Sequence, residues 1–203
     1  MKKLESSLRN MVLVLVVAAM VTGGLLAWVN HITETPIRQQ AKLALAEGIK
    51  MVMGGKPVKV ERVDSICQWV DNKESCFVIH HIQGGGAAVE TVTMGFGGDL
   101  KLLVGFSADG AILGYTVLQH AETPGLGAKA DAWFQRGHKG NIIGKSPRQA
   151  PLTVKQDGGG VAAITASTIT SRAFLKAVNQ AYQAYTQGNV DTHTGATKHE
   201  KKG

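Results

Sequence analysis

The sequence has few of the residues on which several common functions depend. Aromatic residues make up 5% of the 203 positions, and there are only two cysteines and five prolines. Two cysteines cannot build a disulfide scaffold, and no placed histidines join them into a metal site. The chain contains no nucleophile elbow, so hydrolysis has no support. Basic residues are not interleaved with aromatics, so the formal net charge of +7 indicates no nucleic-acid surface.

One long apolar run stands out from this composition. Residues 11–29 hold 16 apolar side chains in 19 positions and no charge. As a helix the run is about 28 Å long, close to the bilayer hydrocarbon thickness of about 30 Å. It is longer than a signal-peptide core of about 7–15 residues, so we expect a permanent transmembrane helix in contact with membrane lipid. Three basic residues precede it and none follows before Arg38, so 1–10 is predicted to be cytoplasmic and the rest extracytoplasmic.

The sequence after the apolar run predicts a connecting helix, one domain and a tail. Thr35-Pro36 is typical of a helix start, and we assign 30–55 to a connecting helix. The domain is expected over 56–187. Gly188 is expected to end its last helix, which leaves 188–203 as a flexible polar tail.

Hydrophobic patterning predicts an α+β domain in which helices pack on an antiparallel sheet. Alternating stretches separated by glycine turns predict the strands of a meander at 76–82, 89–96, 100–106 and 111–118. A short helical stretch is expected at 128–136. Apolar residues at helical spacing predict an amphipathic helix over 168–187.

Cys67 and Cys76 lie nine residues apart around Asp71-Asn72, which is typical of a turn. An extracytoplasmic compartment permits them to join. The sequence leaves a disulfide and two free thiols both open.

A cluster of hydroxyl side chains marks the start of the last helix. It consists of Thr165, Ser167, Thr168, Thr170 and Ser171. Hydroxyls beside the unpaired N–H groups of a helix N-terminus make a good phosphate cradle. Helix capping explains serine and threonine there equally well, so the residues alone leave both interpretations open.

Several motifs, taken in order, resemble a known family. The chain resembles the G subunit of the Rnf (also called Rsx) ion-translocating electron transport complex. It is also similar to the C subunit of the sodium-translocating NADH:quinone reductase, which shares the FMN-binding domain. The resemblance is strong over 100–187 and weak over 30–99. Its most specific parts are the Glu122-Thr123-Pro124-Gly125-Leu126-Gly127 loop and the stretch from Thr165 to Ala173.

The resemblance implies FMN held covalently, as a phosphoester that a dedicated flavin transferase forms on a threonine of the motif Asp-x-x-Ser/Thr-Gly-Ala-Thr. Matched position by position, the modified residue is Thr168. The sequence departs from the motif at Ala162, Ala166 and Ser167. The segment Asp191 to Thr197 matches the motif fully but lies in the polar tail, so Thr197 is a rival site.

The resemblance also implies the other cofactor-binding residues. Glu122, Thr123, Gly125, Leu126 and Gly127 are expected to form the loop beside the isoalloxazine ring, with Leu126 on its face. Lys129 is expected to meet a phosphate or the edge of the reduced ring. Phosphate or cap donors are expected at Ser167, Thr170 and Ser171.

The function implied is that of a covalent-FMN electron carrier in an Rnf-type ferredoxin:NAD oxidoreductase of the bacterial inner membrane. That complex moves sodium ions or protons, so the chain is a flavoprotein and phosphoprotein component of a translocase without substrate turnover of its own. Its partners are the other Rnf subunits and, during maturation, the flavin transferase. Two alternatives stay open: the C subunit of the quinone reductase, and an envelope binding module that has lost its flavin.

Overall fold

The structure is a computed structural model that describes residues 8–194 apart from positions 56, 71 and 72. Its first element, α1, is a helix from Leu8 to Val52. By length and composition α1 can cross a membrane, and it is the only such helix in the described part of the chain. None of its most apolar window is buried inside the protein. Lipid contact suits these exposed leucine, valine and methionine side chains.

The predicted helix start at Thr35-Pro36 is wrong, because α1 continues through Pro36. A proline in a helix interior removes one backbone donor and normally costs about 3 kcal/mol. Favourable helix sequence lies on both sides, and an ion pair between Glu34 and Arg38 spans the proline one turn apart. Such pairs stabilise a helix by about 0.2–0.5 kcal/mol. The long helix on either side of Pro36 compensates the remaining cost of the proline.

The central element is a five-stranded antiparallel meander in the order β1-β2-β3-β4-β5. The last four strands confirm the predicted meander. The first was not predicted, because its many polar residues obscure the alternation on an exposed edge strand. The strands are β1 Val60–Val70, β2 Lys73–Ile82, β3 Ala87–Met94, β4 Asp99–Phe106 and β5 Ile112–His120.

Cys67 and Cys76 face each other across β1 and β2 and form a disulfide. This resolves the choice that the sequence left open. The predicted turn at Asp71-Asn72 lies outside the described residues, but the two strands that flank it pair from Val70 and Lys73 onward.

The main core lies between one face of the sheet and the last helix, α3, which spans Thr168–Thr194. Phe174 is central: its ring stacks on Phe134 at 4.3 Å between centroids and meets the edge of Tyr115 at 4.8 Å. The helix also presents small residues to the sheet. The buried residues of this helix include Phe174, Leu175, Ala177, Val178, Ala181, Ala184 and Tyr185.

A smaller core covers the opposite face of the sheet, where the last turns of α1 pack. Ile49 and Val52 of α1 are buried with Leu103 of β4. A Cβ atom on Gly105 would lie 2.4 Å from the carbonyl oxygen of Val52. Glycine is therefore required at Gly105 for this close approach, and the compact domain begins within α1, at Leu45.

The segment between β5 and α3 carries the predicted short helical stretch as a 3₁₀ turn, Gly127–Lys129, followed by α2, Ala130–Trp133. The Tyr115 hydroxyl donates to the Ala130 carbonyl at 2.7 Å and accepts from the Phe134 N–H at 3.1 Å, which fixes α2 on the sheet.

The predicted end of α3 at Gly188 is wrong, because the helix continues to Thr194. Glycine in a helix interior costs only about 1 kcal/mol relative to alanine, which the preceding turns compensate. The remainder of the predicted tail, 195–203, lies outside the described residues.

Candidate functional site

A cavity of about 320 Å³ lies where two predicted segments meet. One is the loop after β5, and the other is the start of α3. The cavity volume is at the small end of the range of about 300–1,000 Å³ that is typical of cofactor sites. It is lined by Phe96, Glu122, Thr123, Leu126, Ala166, Ser167, Thr168, Ile169 and Thr170.

Six of the ten predicted site residues line this cavity: Glu122, Thr123, Leu126, Ser167, Thr168 and Thr170. The other four do not. Gly125 and Gly127 shape the loop, and Lys129 is exposed on the turn that follows. Ser171 is buried behind the cavity wall.

Glu122 ties the walls of the cavity together. Its side chain is buried, with the residue 5% exposed. Oε1 accepts from the backbone N–H of Phe96 at 2.7 Å and of Gly97 at 3.4 Å. Oε2 accepts from the Thr170 hydroxyl at 2.8 Å. One carboxylate therefore joins the loop after β3, the loop after β5 and the first turn of α3.

The start of α3 presents hydroxyls beside unpaired backbone donors. Thr168 is the first residue of the helix and is half-buried. Ser171 is buried, and its hydroxyl accepts from the Ile164 N–H and donates to the Ser167 carbonyl, each at 2.9 Å. Ser171 therefore fixes the turn that leads into α3, while Ser167 and Thr168 line the cavity at the positive end of the helix dipole, where an anion is stabilised.

Ala166 holds this turn in an unusual conformation. Its φ of +60° lies in the left-handed region, and it is the only non-glycine residue with positive φ in the described part of the chain. This conformation is normal for glycine and costs other residues about 1–2 kcal/mol. Ala166 stands where the flavin-attachment motif implied by the resemblance has glycine, the residue for which this conformation is normal.

Three large apolar side chains surround the cavity and are accessible to solvent. Phe96 is 68% exposed, Ile169 54% and Leu126 40%. Exposed apolar groups that converge on one cavity indicate a site for a flat apolar ligand surface. Leu126 was predicted here, whereas Phe96 and Ile169 were not.

The sequence did contain a signal for Phe96. It stands in Gly95-Phe96-Gly97-Gly98, directly after a strand, where glycines allow the backbone to approach Glu122. A Cβ atom on Gly95 would lie 2.0 Å from Glu122 Oε1. Ile169 was assigned to the apolar face of the helix, and its exposure depends on the tertiary packing.

The other two departures from the motif have different surroundings. Ala162 is half-buried, and its carbonyl accepts from the Trp133 indole N–H at 2.8 Å. Ser167 lines the cavity beside Thr168. Thr197, the rival site, lies outside the described residues.

Near the same helix start, Arg172 forms a bidentate ion pair with Asp157, at 2.8 and 2.7 Å. The guanidinium lowers the pKa of Asp157, and the carboxylate raises the pKa of Arg172. The pair joins the first turns of α3 to the 3₁₀ turn Lys155–Asp157. Both side chains are exposed, and neither lines the cavity.

In comparisons with known proteins, two family profiles match different parts of the chain. The profile of the FMN-binding domain matches residues 95–183, which include every residue that lines the cavity. The profile of the RnfG N-terminal region matches residues 1–52.

Curated relatives match along nearly the whole chain. It is 33% identical over 193 residues to the G subunit of the ion-translocating oxidoreductase complex of Vibrio atlanticus (strain LGP32), covering 87% of this chain and 90% of the relative. It is 31% identical over 199 residues to the protein of the same name from Vibrio cholerae serotype O1 (strain M66-2), covering 93% and 95%. It is 32% identical over 189 residues to the G subunit of the Na(+)-translocating ferredoxin:NAD(+) oxidoreductase complex of Acetobacterium woodii, covering 85% and 89%.

Proposed function

The chain belongs to the family of G subunits of ion-translocating oxidoreductase complexes, and we propose that it holds FMN at the cavity between the Glu122 loop and α3, attached to Thr168. The family makes it a redox component of an Rnf-type complex, with the other subunits of that complex as partners. The match at 1–52 also favours the Rnf protein over the C subunit of the quinone reductase.

The residues at the cavity fit the two chemically different ends of FMN. The start of α3 supplies hydroxyls and backbone donors for a phosphate. Phe96, Leu126 and Ile169 supply exposed apolar surface for the ring. A flavin takes up and passes on electrons, and the protein provides its position and its electrostatic environment.

The assignment of Thr168 as the attachment residue depends on one observation, the position of this residue in the structure. It is the cavity-lining threonine at the first position of α3, opposite the Glu122 loop. A phosphate on its hydroxyl would sit at the helix N-terminus, where the dipole stabilises negative charge. The ring would then lie within reach of Leu126 and Phe96.

Ser167 and Thr123 line the same cavity, and we assign them as donors to the cofactor. Thr170 has a different role, because its hydroxyl binds Glu122. Gly125, Gly127, Ser171 and Lys129 act through the loop and the turns that support it. Of these, Lys129 is exposed and is available to a phosphate that extends beyond the cavity mouth.

The attachment requires a flavin transferase as a second partner. Ala166 stands at the motif glycine position and has the left-handed conformation that glycine adopts readily, so we expect the turn to present Thr168 to the transferase as glycine would. The missing aspartate at Ala162 leaves the transferase one acidic contact fewer, which we expect to slow the modification without redirecting it.

The apolar part of α1 anchors the domain in the bacterial inner membrane in this account. Three basic residues before the span favour a cytoplasmic N-terminus and an extracytoplasmic domain. The flavin would then exchange electrons with the other Rnf subunits at the extracytoplasmic surface of that membrane.

The assignment is tested by single threonine substitutions in the full chain, produced together with a flavin transferase. Covalent flavin is read as fluorescence in a denaturing gel. We expect Thr168→Ala to abolish the signal, since it removes the attached oxygen. The matched control is Thr153→Ala, an exposed threonine that lies outside both the motif and the cavity lining. It should keep the signal, as should Thr197→Ala. Fluorescence retained in Thr168→Ala but lost in Thr197→Ala would move the attachment to the tail.

A further inference from the structure

We infer that Glu122 is the residue that sets the reduction potential of the flavin, by holding a buried negative charge in the wall of the cavity. This inference rests on the proposed function, because it concerns FMN at the same site. It assigns to Glu122 a positioning and electrostatic role in place of a covalent or proton-transfer role.

The carboxylate of Glu122 is held without a cation. Its two oxygens accept three hydrogen bonds, all from neutral donors: two backbone N–H groups and the Thr170 hydroxyl. In the described part of the chain it forms no ion pair with lysine, arginine or histidine. Neutral donors stabilise a carboxylate but leave its net charge in place.

The surroundings of Glu122 are shaped around this side chain. A Cβ atom on Gly127 would lie 2.2 Å from Oε2, and one on Gly95 would lie 2.0 Å from Oε1. Glycine on both sides is therefore what allows the two loops to close on the carboxylate. A group enclosed in this way keeps one position relative to the cavity that it lines.

Glu90, a second buried glutamate in the domain, has different partners from Glu122. Glu90 is 8% exposed, and its oxygens meet His80 Nε2 at 2.9 Å and Lys101 Nζ at 2.7 Å. Its charge is compensated by a cation, as is usual for buried acids. It does not line the cavity. The uncompensated carboxylate is the one at the proposed cofactor site.

The physical effect of that charge has a definite sign. Charges interact strongly where water is excluded, so a fixed negative charge opposes electrons that arrive beside it. The opposition is greatest when two electrons arrive with only one proton, since the product then carries an added negative charge. The donors at the start of α3 act in the other direction, because the helix N-terminus is positive. Other titratable groups near the loop are His120, whose Nδ1 accepts from the Glu122 N–H at 3.3 Å, and exposed Lys129.

The test is a spectroelectrochemical titration of the flavin-loaded full chain, with dithionite as the source of electrons. Glu122→Gln keeps the shape and one acceptor oxygen but removes the charge. We expect the ratio of reduced to oxidised FMN at a fixed potential to rise about tenfold, which is about 30 mV for a two-electron couple. Glu90→Gln is the control, a buried glutamate away from the cavity, and should leave the ratio unchanged.

A second variant separates charge from geometry. Thr170→Val removes one hydrogen bond to Glu122 but keeps the carboxylate charge. We expect its reduction potential to fall below that of the wild type, because a donor that screens the charge is gone. A reduction potential that does not fall in Thr170→Val, or that does not rise in a flavin-loaded Glu122→Gln, would overturn the inference. If Glu122→Gln does not retain flavin, Thr170→Val decides alone. Wild-type protein without FMN would instead contradict the proposed function.

Discussion

At the scale of single residues, the two buried glutamates show how one side-chain type serves two purposes. Glu90 forms an ion pair with Lys101 and a hydrogen bond with His80 on the sheet, and we expect it to contribute to stability. Glu122 joins two loops and the start of α3 through neutral donors at the edge of the cavity. The difference lies in the partners that the fold provides, and it can be tested separately for each residue.

Glu90 predicts a pH dependence of stability. Its hydrogen bond from His80, and then its contacts with Lys101, lower its pKa below the ordinary 4.5, against the opposing effect of burial. A lowered pKa in the folded state means that the stabilisation is complete above the unfolded pKa and is lost as the pH falls through the folded value. Urea unfolding of wild type should therefore show a free energy of unfolding that declines below about pH 4.5. Glu90→Gln should lower that free energy at pH 7 and flatten the acid decline. An acid decline equally steep in this variant would contradict the assignment.

Ala166 predicts a stabilising substitution. Because its φ is +60°, Ala166→Gly relieves a left-handed alanine. Glycine also adds backbone entropy to the unfolded state, so the net gain should be about 0.5–1 kcal/mol. Urea denaturation measures it. Ala150→Gly, at an exposed position without positive φ, is the control and should be neutral or destabilising. A loss of stability in Ala166→Gly would show that the turn is not strained.

The residue scale is also where prediction from sequence was most incomplete. Thr168, Glu122 and Leu126 could be chosen because they stand in specific motifs. Phe96 was not chosen despite the glycines around it, because its place at the cavity depends on a backbone hydrogen bond to Glu122, 26 positions away. The functional difference between Thr170 and Ser167 was hidden for the same reason: both are hydroxyls at one helix start, and only tertiary contacts separate them.

At the scale of elements, α1 joins two environments in one helix. Its N-terminal part is apolar and exposed, and its last turns are buried on β4 and β5. The sequence predicted a break at Pro36 because proline usually marks a helix start. The helix is continuous because the cost of one missing hydrogen bond is small against the many that the long helix retains.

The contact between α1 and the sheet predicts a strong effect at Gly105. A Cβ atom there would lie 2.4 Å from the Val52 carbonyl oxygen, and backbone cannot move as a flexible side chain can. Gly105→Ala should therefore lower the free energy of unfolding by about 1–3 kcal/mol, the range for overpacked cores. Chemical denaturation of the purified protein measures the loss.

The control for this substitution is Gly160→Ala. No atom lies within 4 Å of a Cβ added there, and φ is not positive. We expect no loss of stability at Gly160. Equal stability of both variants would mean that the end of α1 does not pack closely on the sheet.

The meander was well predicted, since four strands alternate and are separated by glycine turns. The first strand was missed because an edge strand has less need of an apolar face, and polar residues such as Asp64 and Gln68 stand at half-buried positions of β1. The sequence alone did not decide whether Cys67 and Cys76 are joined, because β1 was not predicted. Register then places Cys67 directly opposite Cys76.

At the scale of the whole molecule, the chain combines a helix long and apolar enough to cross a membrane with a domain that has a cavity at the start of its last helix. The family and the FMN-binding role were predictable from short motifs in a fixed order, and the α+β fold was predictable from the hydrophobic patterning. The sequence left Thr197 as a rival site, and that residue lies outside the described part of the chain.

The site of attachment is decided most directly by mass analysis of tryptic peptides from the full chain made with a flavin transferase. Cleavage after Lys155 and Arg172 releases 156–172, which contains Thr168, whereas Thr197 falls in 177–198. We predict that the mass of one FMN phosphoester is carried by 156–172, with fragmentation placing it on Thr168. FMN on 177–198, or on neither peptide, would contradict the account.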